Sequence, residues 1–540
     1  MPKPLEVRVS ITRRAVRSRL RSASGAAAAA LVLSLGLAAC GGPSSSNGGG
    51  GTGGNTIEAT LAFALSSGFD PDNASSAVAT AANQHIFEGL IDLDPVTREP
   101  YLALAGSEPE ESADGLSWTV QLRDGAKFSD GSDVTADDVA HSFMRVIEPE
   151  DPAAPPLMAG FVNFIKKVEA VDATTVEFTL KSPFPLFEQR ISVIKVVPKA
   201  LTGDAEASEK FDTAPIGSGP YQLDSASETV LKLSKNEYYN GPRPAKADAM
   251  TWNTNTDGSA RIADLQGGRV QAIEAVPYLN VDSLGDGFEV AEKQAFNQAF
   301  LMFNNSAAPF DDKRVRQALH YALDKDKIVD TALNGFGTPA SSYLDEGNPS
   351  YQEAATVYGY DPQKAEQLLA EAGAEDLQFE LVTTDASFIK DIAPLVIEQW
   401  KQVGVTATLN TVPSSAVYGE LVPSEKFRVL LASGDPSVFG PDPDLLMRWF
   451  YYGTTWPEDR MRWSSPNRQK VADLLDRAAA TDDESARDEL WKQVLDIVAD
   501  DVPLYPILHT KVVTAYDGDE LSDFDGPATT GLYFLDASRS

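Results

Sequence analysis

Three carboxylates in "GDPSVFGPDPD" (Gly434–Asp444) are the first residues whose type and spacing could do chemistry: Asp435, Asp442 and Asp444. Paired carboxylates can work as acid and base on a glycosidic bond. Asp-Pro units also make turns, however, and Asp444 stands where it would cap a helix beginning "LLMRWF", which assigns Asp442 and Asp444 to local structure. Asp435 is different. It ends the apolar run "FRVLLASG", so a strand would deliver it to an opening. Other catalytic supports are missing. Histidine occurs only at 85, 141, 320 and 509, with no HExxH and no Cys/His cluster, which removes the usual zinc sites. His320 lies within an amphipathic helical pattern and reads as structural. There is no GxSxG elbow and no GxxxxGK[ST] phosphate loop. "IGSGPY" (Ile216–Tyr221) lacks the further glycine and following helix of a dinucleotide site, so Gly217 and Gly219 read as a tight turn. No cofactor is expected.

The one cysteine, Cys40, sits between an apolar run and a Gly/Ser-rich stretch. Lys3, Arg8, Arg13, Arg14, Arg17, Arg19 and Arg21 precede the run, and this order of positive, apolar and small residues is an export signal. The run from Ala26 to Ala39 is shorter than the roughly 20 residues a membrane-spanning helix needs. Leu37, Ala38, Ala39 and Cys40 resemble the lipobox of bacterial lipoproteins, in which the cysteine is lipidated and becomes the new N-terminus. The segment 41–54 then serves as a flexible tether. Arg13 and Arg14 match a twin-arginine signal only in part, so the export route stays open.

The whole chain carries 45 basic and 79 acidic residues, a formal net charge of −34. Because the leader is basic, the remaining body is more acidic still, which argues against nucleic acid or anionic lipid as partners of that body. Without a second cysteine, its stability must come from packing. The elements that position the candidate groups follow two rhythms. "TIEATLAFAL", "LSWTVQLR" and "TTVEFTL" alternate as strands in the first half, and "TADDVAHSFMRVI" is a helix capped by Thr135. The second half alternates helix and strand. "DDKRVRQALHYALDKDKIVDTAL" reads as a helix capped by Asp311 or Asp312, with Gly335 beyond its end. "YDPQKAEQLLAEAG" is a helix capped by Asp361, "LQFELVTT" a strand, "IAPLVIEQWKQVG" a helix and "VTATLNTV" a strand. This predicts an α/β sheet covered by helices, and "DVPLYPILHTKVVTAY" as a strand returning to the first half.

Several blocks occur together and in order from about Thr56 to His509: "GLSWTVQLRDGAKFSDGSDVTADDVAHSFMRV", "PIGSGPYQL", "NEYYNGPRP", "FLMFNNSAAPFDDKRVRQALHYALDKDKIV" and "RWSSPNRQKVADLLDRAAA". In this the chain resembles the family 5 extracytoplasmic solute-binding proteins of ABC importers, which include the dipeptide- and oligopeptide-binding lipoproteins. The resemblance implies a two-lobed α/β fold like that of periplasmic binding proteins, with a hinged cleft between the lobes. Residues 55–88, 212–295 and 508–540 would form the first lobe, 89–211 an extra subdomain of it, and 296–507 the second lobe. Residues 1–39 would be the signal peptide and 40–54 the lipidated cysteine and tether. It implies no enzymatic activity, and partnership with ABC permease subunits driven by a cytoplasmic ATPase. The protein would be a monomer held by Cys40 at the outer face of the cell membrane, in the periplasmic or cell-wall space, taking up peptides.

The family's peptide binders hold the ligand's α-ammonium with an aspartate just after a strand of the second lobe, upstream of an Asp-Pro or Glu-Pro pair. Counted from "VLLASG" that place is Asp435, with Ser433 and Gly434 beside it. Counted back from Asp442 and Pro443 it is Phe439, because "PSVFG" intervenes. If Asp435 faces away from the cleft, Phe439 and Trp449 offer aromatic faces for a sugar or a cationic group. Ser66, Ser67 and Gly68 follow the first strand and could donate hydrogen bonds, and Asn297 and Phe300 lie on the crossing between lobes. An oligosaccharide or an amine-bearing metabolite is the alternative solute. A surface-tethered glycoside hydrolase using Asp435 is the rival from another class.

Overall fold

The computed structural model describes residues 55–152, 155–424 and 426–540. Cys40, the leader and the tether lie outside these residues. The described residues form one compact unit, framed by two long antiparallel strands, Glu289–Phe303 and Leu504–Tyr516. Among the described residues an eleven-stranded sheet is built on this pair. At one end, Val429–Gly434 pairs with Gln298–Phe303, and Gln378–Thr383 and Thr406–Thr411 continue in parallel. At the other end, Ala272–Ile273 pairs with Ala515–Tyr516. Thr56–Leu61 and Ala249–Thr254 follow in parallel, then Val230–Lys235 and Tyr221–Ala226 antiparallel.

The ladder of the long pair slips between Gln294 and Gln298, the kind of irregularity that bends a sheet. Both sets of parallel strands run toward this slip, so their carboxyl ends face each other across it. In the second half, alternate residues of Val429–Gly434 enter different cores, as the two-residue period of a strand requires. Leu430 and Ala432 join Phe300, Met302 and the helices Pro443–Tyr451, Asn467–Ala479 and Glu484–Asp501. Val429 and Leu431 join Leu301, Phe303 and the helices Lys313–Tyr321, Pro362–Glu371 and Ser387–Gln402. In the first half, Ile57, Ala59 and Leu61 pack on the helix Ala77–Ile86. A separate four-stranded antiparallel sheet orders Glu110–Glu111, Ser117–Gln121, Thr175–Leu180 and Ile165–Ala170. The helix Ala136–Ile147 covers it, started by Thr135 and Asp138, whose side chains accept from each other's backbone amides.

The elements read from the sequence are present, with three changes. "DDKRVRQALHYALDKDKIVDTAL" is two helices, Lys313–Tyr321 and Lys325–Ala332, because the Asp324 side chain accepts from the amide of Lys327 and starts a new one. The helix after the Asp-Pro pair is capped by Asp442, not Asp444, and spans Pro443–Tyr451. The first strand ends at Leu61, leaving 62–65 to leave the sheet. Gly217 and Gly219 form the expected turn: a Cβ at either would meet a backbone oxygen of Ile86 or His85, at 2.0 and 2.4 Å.

Candidate functional site

A cavity of about 280 Å³ occupies the place where the carboxyl ends of the two sets of parallel strands meet. Ala62, Phe63, Thr256, Glu274 and Tyr278 come from the ends of first-half strands, and Asp385, Phe388 and Ser414 from those of the second half. Open α/β sheets place ligands at such strand ends, because the loops there are free to carry side chains inward. Asn297 and Lys511, from the long pair, form the floor between them.

The groups in the cavity differ in how fully they are engaged. Glu274 is buried and accepts from the amides of Ala62 (2.9 Å) and Gly531 (2.8 Å). Burial pushes its carboxyl up, against the pull of those amides and of the Arg261 charge. The guanidinium of Arg261 donates to the carbonyls of Glu274 (3.0 Å), Asn255 (2.7 Å) and Ala275 (2.6 Å), which fixes the strand-end loop. Tyr278 donates to the carbonyl of Lys511 at 2.7 Å, and its ring meets Phe388 across the cavity at 6.3 Å. Burial pushes the Tyr278 hydroxyl up to about 12. Asp385 accepts from the amide and hydroxyl of Ser414 through Oδ1 (3.1 and 3.0 Å). The Asp391 carboxyl, raised by partial burial, lies one helical turn beyond Phe388. The arrangement has aromatic walls and carboxylates on both sides, Glu274 on one and Asp385 and Asp391 on the other, while the Lys511 ammonium stands 3.6 Å from Glu292. It can hold a small solute with both apolar and charged parts, and it assembles no nucleophile with a base.

Of the residues expected from the sequence, Ser66 and Asn297 line this cavity. Asn297 donates from Nδ2 to Thr510 Oγ1 at 2.8 Å. Asp435 lies at its edge with its carboxylate already filled. It accepts from the Ser437 amide (3.2 Å) and hydroxyl, from Thr529 Oγ1 (3.0 Å), and from the Thr530 amide (3.1 Å) and hydroxyl (3.2 Å). Ser433 is half-buried beside it. Four expected residues are structural. Ser67 ties its loop to the amide of Ser76, and a Cβ on Gly68 would fall 1.8 Å from the Asp212 carboxylate. Phe300 is fully buried against Phe450 at 5.5 Å, and a Cβ on Gly434 would meet that same ring at 2.9 Å. Phe439 and Trp449 stand 5.1 Å apart and both pack on Phe161, outside the cavity lining. Glu274, Tyr278, Asp385, Phe388 and Lys511 were not singled out from the sequence. The rule that found Asp435, a residue just past a strand's carboxyl end, would have found Asp385 past "LQFELVTT" had it been applied to every predicted strand, whereas Glu274 follows the two-residue strand Ala272–Ile273, too short to show a pattern.

Comparison with known proteins agrees with this architecture. The glutathione-binding protein GsiB of Escherichia coli strain K12 is 29% identical over 488 residues, spanning 87% of this chain and 91% of its own. A dipeptide-binding protein of Pseudoalteromonas sp. SM9913 in complex with Met-Leu superposes with a TM-score of 0.81 at 21% identity, over 90% of this chain and all of that one. NikZ of Campylobacter jejuni in complex with Ni(L-His) gives 0.78 at 24%, over 89% of this chain and 99% of the other. These superpositions establish the two-lobed binding-protein fold. Residues 99–458 match the model of the bacterial extracellular solute-binding proteins, family 5, middle region. A hydrolase built on Asp435 is thereby overturned: the chain belongs to the family 5 extracellular solute-binding proteins, which serve ABC importers as carriers and not as enzymes.

Proposed function

We propose that this protein captures short peptides between its two lobes and delivers them to ABC permease subunits. The carrying observation is the cavity at the facing strand ends, lined from both sides by aromatic rings and carboxylates and from one side by Arg261. A zwitterionic peptide of two or three residues matches that mixture. The cavity, about 280 Å³, lies just below the range of about 300–1,000 Å³ usual for small-molecule sites, which suits a short peptide rather than a long one. The glutathione-binding relative and the fold neighbour holding Met-Leu are in keeping with a ligand of this kind. We take 55–88, 212–295 and 508–540 as the first lobe with 89–211 as its subdomain, 296–507 as the second lobe, and the long pair as the hinge. Closure would follow from ligand contacts to both lobes. Cys40 would carry the lipid that tethers the monomer outside the membrane.

One observation favours a second reading. With the Asp435 carboxylate filled by Ser437, Thr529 and Thr530, an amine must be met elsewhere in the cleft, and Asp385 and Asp391 are the carboxylates with room. An amine-bearing metabolite would satisfy them as a peptide does. Native mass spectrometry of the purified protein, followed by denaturation and identification of what is released, separates the two. Short peptides are expected; a single cationic metabolite or a sugar would keep the transport role and discard peptides.

A further inference from the structure

The segment from Asp435 to Asp444 contains "PSVFG", which interrupts the spacing expected after its strand. It also makes a series of contacts between the two halves of the chain. Asp435 accepts from Thr529 and Thr530. The carbonyl of Ser437 accepts from Arg98 Nη2 at 2.5 Å. Phe439 packs on Phe161, with ring centroids 5.9 Å apart. Asp442 and Asp444 both accept from Arg190 Nη2, at 2.7 and 2.9 Å, while Arg190 Nη1 donates to the carbonyl of Phe161 at 3.1 Å. These charges are enclosed, with side-chain exposures of 1% for Arg190, 5% for Asp442 and 0% for Asp444.

We propose that Asp435–Asp444 is a closure latch, which holds the cleft shut through protein contacts alone and so sets how tightly solute is kept. The inference rests on the two-lobed hinge reading above. Arg190 comes from one side of the cleft and the two aspartates from the other, so hinge opening must separate them. A buried charge that loses its partner is unfavourable until water reaches it, which biases the equilibrium toward the closed form. The same applies to Asp435 and its donors. A receptor already biased to closure gives up less of its binding free energy to conformational change, and its apparent affinity rises with the closed fraction. The interruption in the sequence thus bears on affinity rather than on which solute is chosen.

The test is a distance measurement between labels on V171C and L409C, introduced at residues 60% and 46% exposed on the two sides. It uses the full chain carrying C40S, refolded from denaturant to strip carried-over solute. The expected result is a predominantly short distance in the otherwise unaltered chain. R190M, and separately T529V combined with T530V, should shift the closed-to-open ratio by at least about tenfold toward the long distance. Adding D442N to R190M should restore part of the closed population, since Asp442 then leaves no unpaired charge and Asp444 keeps Arg448 as its partner. A long distance in the unaltered chain overturns the proposal. So do variants that keep the short distance while circular dichroism reports them folded. Should R190M fail to fold, the threonine pair alone decides, because Val is close to Thr in shape. No peptide enters this measurement, so a latch can be confirmed in a protein that proves not to bind peptides.

Discussion

Asp444 and Glu274 are both buried carboxylates at the meeting of the lobes, and their surroundings drive them in opposite directions. Asp444 lies between Arg190 and Arg448, at 2.9 and 2.7 Å. Burial pushes its carboxyl up, but the two guanidinium charges outweigh burial and hold it below the usual range. Glu274 has two backbone amides and a nearby Arg261 whose donors are taken by carbonyls, and there burial prevails. Around Asp442 and Asp444 the seam therefore matches charge with charge, whereas in the cavity the buried Glu274 carboxylate is met by neutral amides. Ion pairs of the first kind hold protein to protein.

Removing the Asp444 carboxylate should have the largest effect. Asp444→Ala leaves Arg190 and Arg448 buried side by side without their shared anion, and is expected to cost about 3–5 kcal/mol in urea unfolding. Glu274→Gln keeps one acceptor for the two amides and should cost about 1–3 kcal/mol. Equal losses would mean that the seam and the cavity hold their carboxylates equally tightly.

The pH dependence sharpens the same contrast, at about 1.4 kcal/mol per unit of pKa shift. The Asp444 pKa is depressed below its ordinary 3.8, so its contribution is present above that pH and is lost as pH falls through the lowered value. The Glu274 pKa is raised above 4.5, so its contribution is complete below that pH and is lost as pH rises through the raised value. Unfolding free energies measured from pH 3 to 8 should show the acid-side loss flattened in Asp444→Asn and the loss toward neutral pH flattened in Glu274→Gln. Identical profiles would remove the electrostatic distinction.

The sequence carried the fold further than the site. Helix caps and strand alternation are local signals, and Thr135, Asp361 and the strand Gln378–Thr383 stand where those signals placed them. Asp442 takes the capping place expected of Asp444, two residues away, and Asp324 begins a second helix inside a run whose apolar spacing reads as one. Asp444 was read as a cap because its partner, Arg190, is 254 residues away, and no local pattern reports such a pairing. Gly68 shows the same limit from the other side. It was taken for a ligand contact, yet its place is set by Asp212, so Gly68→Ala should cost about 1–3 kcal/mol in thermal or urea unfolding and leave ligand affinity unchanged.

The smallest expected effects distinguish which end of the cleft reads the solute. Phe388 faces Tyr278 across the cavity, and Phe388→Ala removes one aromatic wall without touching the seam. It should weaken binding of the released solute by about 0.5–1.5 kcal/mol, or roughly twofold to twelvefold, in isothermal titration. Asp435→Asn keeps an acceptor for Thr529 and Thr530 while removing the charge, and should change affinity less than Phe388→Ala does. The reverse order, with Asp435→Asn abolishing binding and Phe388→Ala neutral, would mean that a ligand amine displaces the two threonines. The recognition site would then move from the cavity to the seam, and the latch would open by the same event that admits the ligand.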